Sequence, residues 1–415
     1  MKLIERFRSF IGDPVLFGAV LTMTVFGVAM IYSATQMDVP QPGVAADTWE
    51  RQAVWLGVSL IAFVLVARIQ IRWFEWAAVP LYVVALLLLA VTLLIGVGRG
   101  TAASTRSWID LGPLSFQPSQ FANIATALIL ARVMGAWRES PRSLWTLWGP
   151  IAIVLVPMLL VLAQPDLGTA MVFGAMLIAT MYWAGTPAGL LFLLISPLPA
   201  LLLSFSVWLF SVYMLGLLLF LIVYRLRLWE NVVVIGANLA AGTIAIPLWN
   251  ALEEYQRNRL LVFLNPELDP RGAGYQLIQS QVAIGSGGLF GKGFLQGTQK
   301  RLAFLPEQHT DFIFAVIGEE LGYIGALAVV GGFGLILWRL VKVAESTSDP
   351  FGGILAFAIF GAWLAHVLVN IGMTIGLMPI TGIPLPFLSY GGSFLLATYI
   401  ALAMAQRVAS EQGRI

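Results

Sequence analysis

Long apolar stretches follow one another along this chain, separated by short polar connections. Those near 14–33, 53–69, 74–97, 119–136, 148–163, 167–184, 188–205, 206–224, 231–249, 310–338, 351–377 and 388–406 are each long enough to cross about 30 Å of hydrocarbon as helix. Twelve spans are expected. Pro197 and Pro199 interrupt the seventh, so one long, tilted or kinked helix over part of 188–228 is the alternative there. The pattern predicts an all-α polytopic integral membrane protein, a single transmembrane domain over 1–415 with one large loop at 250–309.

Composition agrees: 59% of the 415 residues are hydrophobic, 11% are charged and the mean hydropathy is +0.88. The first apolar stretch has no small-residue cleavage site behind it and reads as a retained span. With the N-terminus inside, fourteen basic residues, from Lys2, Arg6 and Arg8 to Arg407 and Arg414, fall on the cytoplasmic side. Only Arg51, Arg99 and Arg106 fall in the short outer connections. That asymmetry predicts cytoplasmic termini and an extracytoplasmic large loop. A net charge of +2 argues against nucleic acid as partner, and the absence of cysteine with only two histidines, His309 and His366, argues against thiolate chemistry or a multi-histidine metal centre.

The large loop is the only extramembrane segment long enough to carry much chemistry. Its stretch "NPELDPRGAGYQ" puts Asp269 ahead of Pro270, Arg271 and Gly272, a good type I turn in which Asp caps and Pro presets φ. A carboxylate held stiffly at a membrane surface also suits a general base. Both readings stand on the local pattern. Arg257, Arg259, Arg271 and Lys292 either face an anionic leaving group or are solvated loop charges. "LIQSQVAIG" has helical apolar spacing and is expected on or in the interface, which makes the loop a structured lid.

Other polar residues divide similarly. Glu319 and Glu320 lie two turns or more into a span, where carboxylates face a cavity or a partner. His309 and Asp311 at its mouth read equally as caps and as substrate contacts. Asp166 in "QPDLGTA" reads first as an N-cap. Arg51 and Arg106 run against the charge asymmetry and mark an anion site or snorkelling side chains. In "FQPSQFAN", Gln117 opens the fourth span and Gln120 and Asn123 share one helical face, where interhelical hydrogen bonding accounts for them without substrate.

"RSWIDLGPLSFQPSQ", "QPDLGTA", "NPELDPRGAGYQLIQSQVAIGSGGLFGKG", "LPEQHTDFIFAVIGEELG" and "MPITGIPLPFLSYGGS", in this order, resemble the SEDS family (shape, elongation, division and sporulation). "GTQKRLAFLPEQHTDF" and "ITGIPLPFLSYGG" favour its elongation branch over its division branch. The resemblance implies a SEDS-type helical bundle and a peptidoglycan glycosyltransferase that polymerises lipid II, with Asp269 as the essential acid. It implies that Gln117, Gln120, Asn123 and His309 lie at the substrate, and that Arg51, Arg106 or Lys292, or a divalent cation, neutralises the pyrophosphate. Otherwise no cofactor is expected. A class B penicillin-binding protein is the implied partner, packed on the spans after the large loop, together with other elongation-complex membrane proteins.

The sequence departs from the family pattern twice. Gln120 and Asn123 stand where the family has a glutamate and a lysine. About 40 residues near 188–228 read as a helical hairpin added to ten family spans, and two added spans preserve the sidedness of everything downstream. A lipid II flippase would share the many spans and intramembrane acids, and a non-catalytic scaffold would tolerate the altered pair. The large loop argues against the first and the intact Asp269 context against the second.

Overall fold

The computed structural model describes residues 11–38, 47–98, 105–112, 114–252, 254–269, 273–302 and 304–411. Three long helices come first: α1 (Pro14–Thr35), α2 (Thr48–Val66) and α3 (Ile71–Ile95). A short antiparallel hairpin, β1 (Ile109–Leu111) and β2 (Leu114–Phe116), then leads into α4 (Pro118–Gly135), α5 (Leu144–Leu162) and α6 (Leu167–Trp183). After α7 (Ala188–Ile195), α8 (Pro197–Leu203), α9 (Val207–Tyr224) and α10 (Leu228–Ala251) comes the large loop, with α11 (Glu254–Leu264), α12 (Ala273–Ser286) and α13 (Thr298–Arg301). The chain closes with α14 (Ile313–Ser346), α15 (Pro350–Thr374) and α16 (Gly392–Glu411). Nine of the described helices are long and apolar enough to cross a membrane. Helix α4 has too many polar residues for that measure, though most are buried, and α6 and the α7–α8 pair are shorter.

Burial sorts the helices. In α15 and α16 72% of the apolar stretch is buried, against 17% in α9 and α10, so the first pair is the centre and the second faces lipid. Close approach at the centre depends on small residues: a Cβ on Gly361 of α15 would stand 2.5 Å from Ala179 Cβ of α6. Polar side chains tie the end of the bundle where α1 begins. Asp13 caps α1 through Val15 N and Leu16 N at 3.0 Å, pairs with Arg339 of α14 at 2.7 Å and exchanges backbone bonds with Gln406 of α16. Arg132 of α4 donates to Glu75 O of α3 at 3.0 Å at the same end.

The seventh expected span is two short helices. Pro197 has no N–H to continue the ladder, and the Ser196 hydroxyl instead bonds Leu193 O at 2.7 Å. Asn238 Nδ2 of α10 donates to Ser196 Oγ at 2.8 Å, and Tyr213 Oη of α9 donates to Ser196 O at 2.6 Å. One broken helix is thus held by two neighbours. Helix α9 returns the chain to the end where α5 starts, so 188–224 crosses the bundle twice.

Candidate active site

Asp269 follows a 3-10 turn, Pro266–Leu268, that Asn265 caps by accepting Glu267 N at 3.2 Å. Beneath it Gly274 N donates to Asp269 O at 3.0 Å. A Cβ on Gly274 would run into Pro266 O and stand 2.7 Å from Asp269 O, so only glycine lets the chain lie this close. The acid is therefore held by backbone packing, with its side chain half-buried. Pro270, Arg271 and Gly272, and with them the expected type I turn, lie outside the described residues.

The loop is fastened to the bundle where α14 breaks. Gly322 has φ 67 and ψ −165, and the carbonyls freed there accept Lys292 N at 3.0 Å (Glu319 O) and Gly293 N at 2.9 Å (Glu320 O). Tyr323 N and Ile324 N turn to Gly288 O and Leu289 O. Irregular backbone is tolerated at such a depth because protein supplies the missing partners.

Glu319 and Glu320 face partners, as expected of acids within a span, but the span is broken beside them. They occupy the last turn of a half-helix, and each holds a loop lysine. Glu319 takes Lys292 at 2.7 Å together with Thr298 N and Gln299 N. Lys292 is thereby committed to a carboxylate, not left open for pyrophosphate. Glu320 pairs with Lys300, and Ser33 of α1 bridges them, donating to Glu320 and receiving from Lys300. Lys300 is 1% exposed and the sequence reading missed it; between Gln299 and Arg301 in "QKRLAF" it looks like an ordinary surface lysine. Arg257 likewise donates to Leu252 O and Asn250 O, capping α10, and not to an open anion site.

A second group of side chains surrounds Asp166 and Asp311. Asp166 caps α6 through Thr169 N at 3.0 Å and Thr169 Oγ1 at 2.9 Å, as its sequence context suggests. Gln117 lies beside this carboxylate, and Gln120 Nε2 donates to Gln117 Oε1 at 3.2 Å. Gln120 thus bonds within its own helix end and not across helices. Below it Asn123, with Oδ1 unpartnered, lines a cavity of about 40 Å³ shared with His366 and Thr398.

Asp311 stands just ahead of α14. Its carbonyl accepts Asn370 Nδ2 at 2.9 Å, and its carboxylate lies against Gly382, whose φ of 72 suits glycine. Burial, helped by the charges of Glu307 and Asp166 and opposed by Arg259 of α11, pushes the Asp311 carboxyl up to about 7. Burial also raises Asp166 and lowers His309, which has no partner at Nδ1.

The fold thus brings Asp166, Asp311, Gln117 and Arg259 together, with His309 two residues away. Arg51, 60% exposed, pairs with Asp47 at 3.1 Å, and Arg106 is exposed beside Gln164. Among the described residues no three acids or histidines converge as metal ligands.

A profile described as cell cycle protein, covering FtsW, RodA and SpoVE, matches residues 14–215 and 209–414. The chain belongs to this family. It is 36% identical over 385 residues to the peptidoglycan glycosyltransferase MrdB of Escherichia coli K12, covering 92% of this chain and 90% of that one. It is 34% identical over 433 residues to the peptidoglycan glycosyltransferase RodA of Treponema pallidum, covering 96% and 98%. A solved chain of a peptidoglycan synthase complex that coordinates polymerization and crosslinking superposes with a TM-score of 0.71 at 29% identity, over 97% of this chain and 99% of that one. The SEDS resemblance read from the motifs is therefore membership, and the helical bundle is the family's.

Proposed function

We propose that this chain is a peptidoglycan glycosyltransferase of the elongation type, polymerising lipid II at the extracytoplasmic face of the cytoplasmic membrane. The observation that carries the reading is Asp269, held by Gly274 and Asn265 in a loop pinned to α14 by two lysine–glutamate pairs. A general base must be held in place to be effective, and this one is.

In this reading Asp269 removes the proton of the acceptor sugar's 4-hydroxyl. That oxygen attacks the anomeric carbon of the donor, the bond to pyrophosphate breaks, and its electron pair leaves with undecaprenyl pyrophosphate. Attack from the opposite face turns an α-linked donor into a β-1,4 glycan without a glycosyl-enzyme. Arg106 and Arg51, exposed at the end of the bundle where the loop lies, and Arg259 on α11 are the cations that would meet the leaving group. Gln117, Gln120, Asn123 and His309 are assigned to the walls of the substrate path, and Lys292 to the fastening of the loop.

The implied partner is a class B penicillin-binding protein. The complex that this chain resembles joins polymerization to crosslinking, which supports such a pairing.

The test is glycan polymerisation from purified lipid II, by the protein alone and with its penicillin-binding protein carrying an inactive transpeptidase. Chains are expected with wild type and not with Asp269→Ala. Their absence from an intact wild-type complex would reject the assignment and favour a flippase or scaffold.

A further inference from the structure

The turn between α9 and α10 is built around a buried acid. Glu230 is 2% exposed and accepts Ser143 Oγ at 2.7 Å, Leu144 N at 2.8 Å and Arg227 N at 3.1 Å. It ties the returning hairpin to the first turn of α5. Its hydrogen bonds are all neutral, so the buried charge is committed to joining two connections.

That junction sets two basic segments side by side. Arg138 and Arg142 lie in the connection before α5, and Arg225 and Arg227 in the turn. All four side chains are exposed, and none is ion-paired among the described residues; Glu139 is the one exposed acid in these segments. Trp145 and Trp229 meet edge to face at 6.2 Å across the junction, with Trp145 72% exposed. Val223 and Leu228 beside these residues are 80% and 85% exposed, and about one turn further into the bundle Leu219, Ile222 and Val232 continue the exposed apolar surface.

A ligand for this place needs an anionic head against the arginines, an interfacial zone against the tryptophans and an apolar tail along α9 and α10. We propose that the junction of the α9–α10 turn with the α4–α5 connection is a binding site for an anionic phospholipid headgroup. A soluble anion would leave the aromatic and apolar steps unused, so the occupant is a lipid.

The test is native mass spectrometry of the full chain in detergent, titrated with phosphatidylglycerol or phosphatidylcholine. At about fivefold per surface arginine, the quadruple Arg138→Gln, Arg142→Gln, Arg225→Gln, Arg227→Gln variant is expected to weaken phosphatidylglycerol binding by at least about tenfold. As the control, Lys342→Gln near the end of α14, a lysine paired with Glu345, should leave it unchanged. Glu230→Ala separates a built site from simple attraction: it raises net positive charge, yet should weaken binding in protein that remains monodisperse. Equal losses in the quadruple and control variants, tighter binding by Glu230→Ala, or competition by inorganic phosphate as effective as by lipid would each overturn the proposal.

Discussion

Gly274 matters through what it permits. Alanine there would ordinarily help the first turn of α12, by up to about 1 kcal/mol, but its Cβ has no room against Pro266 O and Asp269 O. Gly274→Ala is expected to lose at least about tenfold in polymerisation, because a small misplacement of a base is costly. Its melting temperature should stay close to wild type. A variant that melts normally and keeps full activity would show that the Asp269 turn tolerates displacement. Asp311 offers a pH test. Its folded value of about 7 lies above its unfolded value of 3.8, so between these the folded state binds more protons. Stability should fall as pH rises through 4 to 7 and level off above. Asp311→Asn should flatten that fall and raise the melting temperature at pH 8; an unchanged slope would mean that the carboxyl is ionised throughout.

Among elements, the start of α4 shows how a swapped pair is accommodated. Gln120 is 4% exposed, and its amide points to Gln117, which lies beside Asp166. A glutamate at 120 would put a second carboxylate into that chain with no cation beside it. Gln120→Glu should therefore destabilise more than Gln120→Glu with Asn123→Lys, by several kcal/mol if the charge stays buried. Equal melting temperatures for the two variants would refute the pairing argument. Much at this scale was legible beforehand: α1, α6 and α9 begin or end within a residue or two of their apolar stretches. The break of α14 was not. Gly322 sits in an apolar stretch that Glu319 and Glu320 alone interrupt, and the loop segment 287–293, arriving from elsewhere in the chain, permits the break by bonding the freed groups. For the same reason Lys292 read as a free cation, while buried Lys300 went unnoticed.

At the scale of the molecule, the two ends of the bundle differ in kind. One gathers Asp13, Gln406, Arg339 and the Glu230 junction; the other carries the β hairpin, Asp166 and the loop with Asp269. Reporter fusions at Arg225 and at Glu267 should therefore fall on opposite sides of the membrane, with Arg225 cytoplasmic. Arg225 and Trp229 on the outer face would reject the double crossing of 188–224. Sequence by itself determined that the chain is a many-helix membrane protein, where most of its apolar helices lie, which connections are richer in cations and that one long polar loop stands among them. Those follow from local hydropathy, charge and turn chemistry, which need no knowledge of neighbours. Tertiary structure decided which charges are spent on each other. Whether Lys292, Glu319, Lys300, Glu230 or Asp311 is free, paired or protonated depends on groups tens or hundreds of residues away. Burial makes each such charge costly, and only the packed fold supplies its partner.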